Sequence, residues 1–204
     1  MVLEKDYNLY IFDLDGTLVD TRPDIARALQ KALGDAGFPQ PGIEDVTKAI
    51  GGGARKALLK LTGLKDDELD PRLLDNFAAI YEQMCCENTR VYPDAEELLR
   101  RLKARGARLA VVTMKFRAPT HSILKCHNIF DLFDVVLSFD DVEKPKPDPE
   151  SLFMLKRRFD VPSDRILMVG DSMTDLDYAK AAGVDACAVT HGYGNLEDMK
   201  AARP

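Results

Sequence analysis

Four cysteines in 204 residues are too few to staple a chain of this length, and Cys85, Cys86, Cys126 and Cys187 show neither CxxC spacing nor histidines at zinc-site intervals. The pattern argues against a disulfide framework or a thiolate metal site and predicts reduced, mostly buried thiols. Positive charge is not in excess either. With 28 basic against 34 acidic side chains the net charge is −6, so no global field draws in nucleic acid or an anionic membrane. Apolar runs such as residues 109–113 and 166–169 fall far short of the roughly 20 residues that cross a bilayer. Residues 1–10 mix Glu4, Lys5 and Asp6 among apolar positions, without the basic-then-apolar form of a secretory leader. No membrane crossing and a cytoplasmic location are therefore expected. Low-complexity tracts and repeats at intervals of about 20 to 50 residues are also missing. What is present, 46% apolar and 30% charged residues, is the composition of a globular chain. At this length folding buries roughly 70% of the unfolded surface.

Periodicity divides the chain into two territories. An apolar run at residues 7–12, with Leu9, Tyr10, Ile11 and Phe12, leads into Asp13-Leu14-Asp15-Gly16 and predicts a buried strand ending at a turn. About 70 residues without strand character follow. Pro23 opens a helix with Ile25, Leu29, Ala32, Leu33 and Ala36 at helical spacing, stopped by Gly37. A second long helix carries Leu73, Leu74, Phe77, Ile80, Tyr81 and Met84, and shorter helical pieces between them break at Gly51-Gly52-Gly53. After Tyr92-Pro93, helices and strands alternate. Asp94 is placed to cap a helix, with Glu97 three residues on and Ala95, Leu98, Leu99 and Leu102 as its apolar face. Strands are predicted at 109–112, 135–137, 166–169 and 186–189, and helices near 117–127, 149–159 and 174–182, with Phe153 and Phe159 counted as core. Such alternation requires crossovers, hence a parallel sheet covered on both faces. The fold class is therefore α/β. Residues 1–18 and 91–204 form a three-layer, Rossmann-like parallel-sheet core, and residues 19–90 form an all-helical insertion.

Residues two apart on a strand face the same side, so Asp13 and Asp15 project together at a strand end, the usual ligand crevice of an open parallel sheet. At about 4 Å and an effective dielectric near 20, two such charges repel by on the order of 4 kcal/mol, which calls for a proton or a cation. Gly170-Asp171-Ser172-Met173-Thr174-Asp175 brings more acid to another strand end. Hard oxygen donors without histidine or cysteine suit Mg²⁺. Thr113 ends a further strand, and Lys144 lies in Lys144-Pro145-Lys146-Pro147 soon after the next. A DxD pair alone is also a turn or helix-capping signal; polar groups at four strand ends favour a site.

Together, Asp13-Leu14-Asp15-Gly16-Thr17, Thr113, Lys144-Pro145 and Gly170-Asp171 through Asp175 resemble the four motifs of the haloacid dehalogenase superfamily, phosphatase branch, over nearly the whole chain. The resemblance implies that family's fold, with the helical insertion as a cap over the site, and Mg²⁺-dependent hydrolysis of a small phosphate monoester. It makes Asp13 the nucleophile and Asp15 the acid and base, with the Asp15 main-chain carbonyl as a metal contact. Asp13 and Asp171 would bind Mg²⁺ directly, and Asp175 directly or through a water. Thr113 and the amides after Asp13, at Gly16 and Thr17, would hold phosphoryl oxygens. Lys144, first in the Lys-Pro-x-Pro pattern, would offset the remaining negative charge, with Lys115 and Lys146 as rivals otherwise read as rim or surface charges. Met114 and Lys115 stand where the family often has Asn-Lys, a departure that bears on leaving-group contacts.

Gly51-Gly52-Gly53-Ala54-Arg55 reads either as a plain inter-helix turn or as a loop bringing bare backbone and the Arg55 guanidinium to substrate. It lacks both GxxxxGK[ST] and GxGxxG, which removes the main support for a kinase. This run, Tyr92-Pro93 and the turn His191-Gly192-Tyr193-Gly194 are similar to phosphoglycolate-phosphatase-like members, which makes phosphoglycolate or a similar metabolite the implied substrate. His121, His127 and His191 read as helix-surface or loop residues not needed as bases. Two other activities compete: a phosphomutase of the β-phosphoglucomutase type, and a non-enzymatic receiver-type module phosphorylated on aspartate. Receivers lack a large helical insertion. A dehalogenase is disfavoured, since such enzymes work without metal and usually lack the second aspartate.

Overall fold

The computed structural model describes residues 5–50 and 52–204. In chain order, β1 (Leu9–Phe12) and β2 (Val19–Asp20) precede four helices, α1 (Arg22–Asp35), α2 (Ile43–Ala49), α3 (Ala54–Thr62) and α4 (Pro71–Met84). Next come β3 (Arg90–Val91), α5 (Ala95–Ala104), β4 (Arg108–Val112), α6 (Arg117–Cys126), β5 (Val135–Leu137) and α7 (Glu150–Phe159). The chain ends with β6 (Ile166–Gly170), α8 (Met173–Ala182), β7 (Asp185–Ala188) and α9 (Leu196–Ala202). Contacts separate the described residues into two units: one runs up to Val19 and resumes at Val91, the other is Asp20–Arg90.

All four residues of β1 are apolar and buried, and a strand with no solvated face needs partners on both edges and cover on both faces. β1 pairs in parallel with β4 on one edge and β6 on the other, Ile11 lying opposite Ala110 and Met168. With β5 beside β4 and β7 beside β6, the order is β5-β4-β1-β6-β7, parallel throughout. The chain winds outward from β1 through β4 to β5, then crosses back to β6 and continues to β7. Its direction reverses beside β1, and at such a switch the connections part and leave a crevice at the carboxyl ends of the strands. Asp13 directly follows β1, and Asp171 directly follows β6.

On one face Leu9, Ile11, Ala110, Val112, Ile166 and Met168 pack with Leu152 and Leu155 of α7 and with Tyr178, Ala179 and Ala182 of α8. Spacing by two in the strands and by three or four in the helices brings these side chains into one layer. The buried Tyr178 hydroxyl shares a 2.7 Å hydrogen bond with Ser151 Oγ. Burial pushes its pKa up to about 12, so it stays protonated.

In the helical unit α1 packs on α4, with Leu29, Leu33, Phe77 and Tyr81 buried. Asp70 caps α4 by accepting from the Arg72 amide at 2.9 Å, and Pro71 supplies the fixed φ of the first turn. Asp24 of α1 is fully buried. Its carboxylate accepts from the amides of Asn88 and Thr89, both at 2.8 Å, and from Asn88 Nδ2 and Thr89 Oγ1. A charge this buried is tolerated because donors surround it.

Some local expectations fail. Asp94 is not a side-chain cap: it takes φ +65° and makes no capping bond. Leu98 on α5 is 47% exposed, and Phe153 on α7, expected in the core, is 40% exposed, whereas Phe159 packs against the core. Among the cysteines Cys85 is buried and Cys126 exposed, with the other two between. Among the described residues no helix is long and apolar enough to cross a membrane.

Candidate active site

The turn after β1 carries two carboxylates to the crevice. The Asp13 amide donates to the Val169 carbonyl at 2.9 Å, extending the β1–β6 ladder by one residue. The amides of Leu18 and Val19 then reach back to the Leu14 carbonyl at 3.0 and 3.1 Å, closing the turn. Gly16 sits in it at φ +82°, where a side chain would be strained and would also overlap the Asp171 carboxylate. After β6, Ser172 and Asp175 form the reciprocal capping box of α8, Ser172 Oγ donating to Asp175 Oδ2 at 2.6 Å. Asp171 Oδ2 accepts from the Tyr193 amide at 2.6 Å, and its Oδ1 accepts from Thr17 Oγ1 at 3.3 Å. The backbone of residues 192–194 comes this close because Gly192 and Gly194 are bare; a Cβ on either would collide with Asp171.

Asp13, Asp171 and Asp175 are all buried, and each offers an oxygen within 4.8 Å of the others. Lys146 is buried among them, its Nζ donating to Asp13 Oδ1 at 2.7 Å and to Asp175 Oδ1 at 2.6 Å. Asp15 pairs with Lys115 Nζ at 3.1 Å, the lysine side chain being 7% exposed. Among the described residues, two ammonium groups thus pair with a cluster of four carboxylates. Burial pushes Asp13 well above the usual carboxylate range; Lys146 opposes the shift, and the charges of Asp175, Asp171 and Asp15 add to it. Burial also raises Asp171, against the pull of the Tyr193 amide and with help from Asp175 and Asp15. For Lys146 burial disfavours the charged form, yet Asp13 and Asp175 outweigh it and hold the ammonium above lysine's ordinary value. Acids raised first by burial and further by acidic neighbours are chemically suited to a divalent cation. Carboxylate oxygens without nitrogen or sulfur suit a hard ion.

The structure corrects the choice of lysine. Lys146 meets the carboxylates, whereas Lys144 is exposed. A solvated ammonium is screened, and a buried one acts at short range in low dielectric. Lys115 is likewise not a surface charge, being nearly buried on Asp15. The amides of Gly16 and Thr17, two residues expected to contact substrate, donate to the carbonyls of Val19 at 2.9 Å and Leu14 at 3.3 Å. These two residues act on Asp171 instead, one by being bare and the other through its hydroxyl. Thr113 is buried, and its Oγ1 accepts from the Lys115 amide at 3.2 Å, with half-buried Met114 between them.

In the helical unit, Gly52 and Gly53 take φ +82° and +94° ahead of α3, and Gly51 lies outside the described residues. Arg55 donates to the side chain and carbonyl of Asp66, each at 2.8 Å, an exposed pairing. His191, expected as an ordinary loop residue, brings Nε2 to 3.1 Å from the Thr17 carbonyl and its ring to 4.1 Å from that of Tyr92. A cavity of about 520 Å³ lined by Thr17, Tyr92, Leu98, Val189 and His191 among others includes none of the four aspartates. Sequence reasoning missed the grip of residues 191–194 on Asp171. Two glycines flanking Tyr193 signal close backbone approach, but not what is approached.

The family model for haloacid dehalogenase-like hydrolases matches residues 10–189, and the chain belongs to that family. A phosphoglycolate phosphatase from Nitrosospira multiformis is 39% identical over 194 residues, covering 93% of this chain and 86% of the relative. One from Aliivibrio fischeri is 36% identical over 208 residues, covering 98% and 91%. Among solved structures, one described as a predicted phosphoglycolate phosphatase from Haemophilus somnus matches with a TM-score of 0.89 at 32% identity, covering 98% of this chain and 93% of that one. The chain is thus an enzyme, a phosphatase-like member of this hydrolase family.

Proposed function

We propose that the protein is a Mg²⁺-dependent phosphatase that hydrolyses a small organic phosphate monoester, phosphoglycolate or a near analogue, through an aspartyl-phosphate on Asp13. One observation carries this reading: Asp13 is buried at the switch-point crevice, 2.7 Å from Lys146 and with oxygens of Asp171 and Asp175 in reach of a shared ion. The excess of carboxylates over ammonium groups among the described residues fits a divalent cation held by Asp13, Asp171 and Asp175. When bound, Mg²⁺ would supply the positive charge that lets a carboxylate approach a phosphate dianion.

The chain's own residues account for the bond changes. An Asp13 oxygen attacks phosphorus as the bond to the leaving oxygen breaks, and Asp15, entering this step in its protonated form, gives that oxygen its proton. Water then attacks the phosphorus of the aspartyl-phosphate, Asp15 takes the water's proton, and the bond to Asp13 breaks to release inorganic phosphate. Lys146 balances charge at Asp13 throughout. Thr113 Oγ1 accepts from the Lys115 amide, which leaves its proton for a phosphoryl oxygen. Glycolate carries a carboxylate, and the Lys115 ammonium, 3.1 Å from Asp15, stands beside the departing oxygen's proton donor. The names of the relatives support the same substrate.

The test is a phosphate-release screen over phosphoglycolate, other small esters and sugar phosphates with Mg²⁺. Asp13→Asn and chelation should each abolish turnover. Undiminished release in either case would falsify the reading. A sugar phosphate isomerised without net release identifies a mutase, and a long-lived phosphoaspartate without turnover identifies a receiver.

A further inference from the structure

The turn at residues 191–194 holds Asp171 and is itself held. Its outer end is His191, an exposed residue whose Nε2 lies 3.1 Å from the Thr17 carbonyl. A carbonyl only accepts, so Nε2 carries the proton in this contact. The imidazole also lies 4.1 Å, centroid to centroid, from the ring of Tyr92. The Tyr92 amide donates to the Leu18 carbonyl at 3.0 Å. Thr17 and Leu18 lie in the sheet unit just before its first stretch ends at Val19, and Tyr92 just after the second begins at Val91. One exposed imidazole therefore touches both stretches, at Thr17 and at Tyr92. Two residues on, the Tyr193 amide grips Asp171 Oδ2 at 2.6 Å, and Thr17, whose carbonyl His191 holds, donates through Oγ1 to Asp171 Oδ1.

We infer that His191 is a positioning residue: by tying residues 191–194 to Thr17 and Tyr92, it fixes the orientation of the Asp171 carboxylate and so sets the affinity of the acidic cluster for its cation. Both oxygens of Asp171 are bonded by segments the imidazole touches, Oδ2 by the Tyr193 amide and Oδ1 by Thr17, while the His191 carbonyl is also held by the Tyr92 hydroxyl at 3.4 Å. Partners that orient a ligand carboxylate are commonly worth about 10- to 100-fold in metal affinity. His191 acts one bond further out, so a smaller effect, about 5-fold, follows. Its exposure means that substitution empties no core.

The inference rests on the phosphatase reading only for the cation, and the experiment separates the two. Three proteins are compared, the parent, His191→Ala and His191→Gln, the last retaining a donor able to reach the Thr17 carbonyl. Calorimetry gives the Kd for Mg²⁺ alone, and hydrogen exchange gives the protection of the Tyr193 amide. His191→Ala should weaken Mg²⁺ by about 5-fold. It should also speed Tyr193 exchange by at least that factor, with the amides of β1 and β4 unchanged. His191→Gln should recover most of both. Parental Tyr193 exchange in His191→Ala overturns the inference. So does a loss of protection spread equally over the sheet, or a Gln variant no better than Ala. If the parent binds no Mg²⁺, the phosphatase reading falls and Tyr193 exchange alone decides the role of His191.

Discussion

Lys144 and Lys146 carry the same side chain, stand one proline apart, and differ only in what surrounds them. At Lys146 the surroundings are Asp13 and Asp175 with almost no water; at Lys144 they are solvent. Lys146→Met should lower kcat by on the order of 100-fold, the scale of removing one preorganised electrostatic group. Lys144→Met should stay within about twofold, as expected of a screened surface charge. Steady-state kinetics on the preferred ester decides, and equal losses in both variants would defeat the assignment. Asp13, Asp15 and Asp171 were legible because strand parity and position after an apolar run place a carboxylate before any fold is known, whereas Asp175, inside α8, was marked only by the family motif. The lysine was not, because an irregular Lys-Pro-Lys-Pro segment has no period from which direction can be read. Asp134 shows the same limit. It receives Lys103 at 2.9 Å, Arg108 at 3.0 Å and the Leu109 amide at 2.9 Å. Burial pushes its carboxyl up, but these partners together outweigh burial and hold it below the usual carboxylate range. A folded pKa below the unfolded value of about 3.9 stabilises at higher pH, and the contribution is lost as pH falls through the folded value. Asp134→Asn should therefore destabilise by about 1–3 kcal/mol at pH 7, with the gap to the parent narrowing below about pH 4 in urea titrations. A gap independent of pH would mean that packing, not charge, is what Asn disturbs.

Elements with several turns or several buried strand residues declare themselves through period. The central strands and the helices of the sheet unit lie within a residue or two of where their spacing predicts them. Elements that satisfy hydrogen bonds without burying a stripe do not. β2 and β3, two residues each, and α9, set by Asn195 accepting from the amides of Glu197 and Asp198, left no period to read. Asp94 shows the converse failure: the capping signature is present, but left-handed backbone turns the residue to another use. α8 has a working cap with a double role. Ser172 donates to the Asp175 oxygen that closes the capping box, while the other oxygen of Asp175 accepts from Lys146. Ser172→Ala should cost about 1 kcal/mol through the lost cap. For a chain of this size that is roughly 2–4 °C in thermal midpoint, followed by circular dichroism. A change under half a degree would show that the site already fixes the start of α8 without the serine.

At the scale of the whole molecule, the sheet's reversal of winding delivers four acids to one crevice, where among the described residues two ammonium groups pair with them. On the proposed function, a cation would relieve the crowding of these carboxylates. Asp13 is raised by burial, against Lys146, and further by its acidic neighbours, so its ionisation at pH 7 favours the unfolded chain when no metal is bound. Binding to the folded state alone stabilises by RT ln(1 + [L]/Kd), about 2.7 kcal/mol at one hundred times Kd. Saturating Mg²⁺ should then raise the thermal midpoint by roughly 5–10 °C, and excess chelator should reverse the gain. Asp13→Asn removes one of the crowded charges while keeping an oxygen for Lys146. That variant should melt higher than the parent without metal, and Mg²⁺ should add less to it. The crossing of the two proteins' stabilities distinguishes electrostatic frustration from ordinary ligand stabilisation. If Asp13→Asn melted lower than the parent with and without Mg²⁺, the carboxylate would be stabilising the bare fold through Lys146, and the deficit of positive charge would not be what calls the cation in.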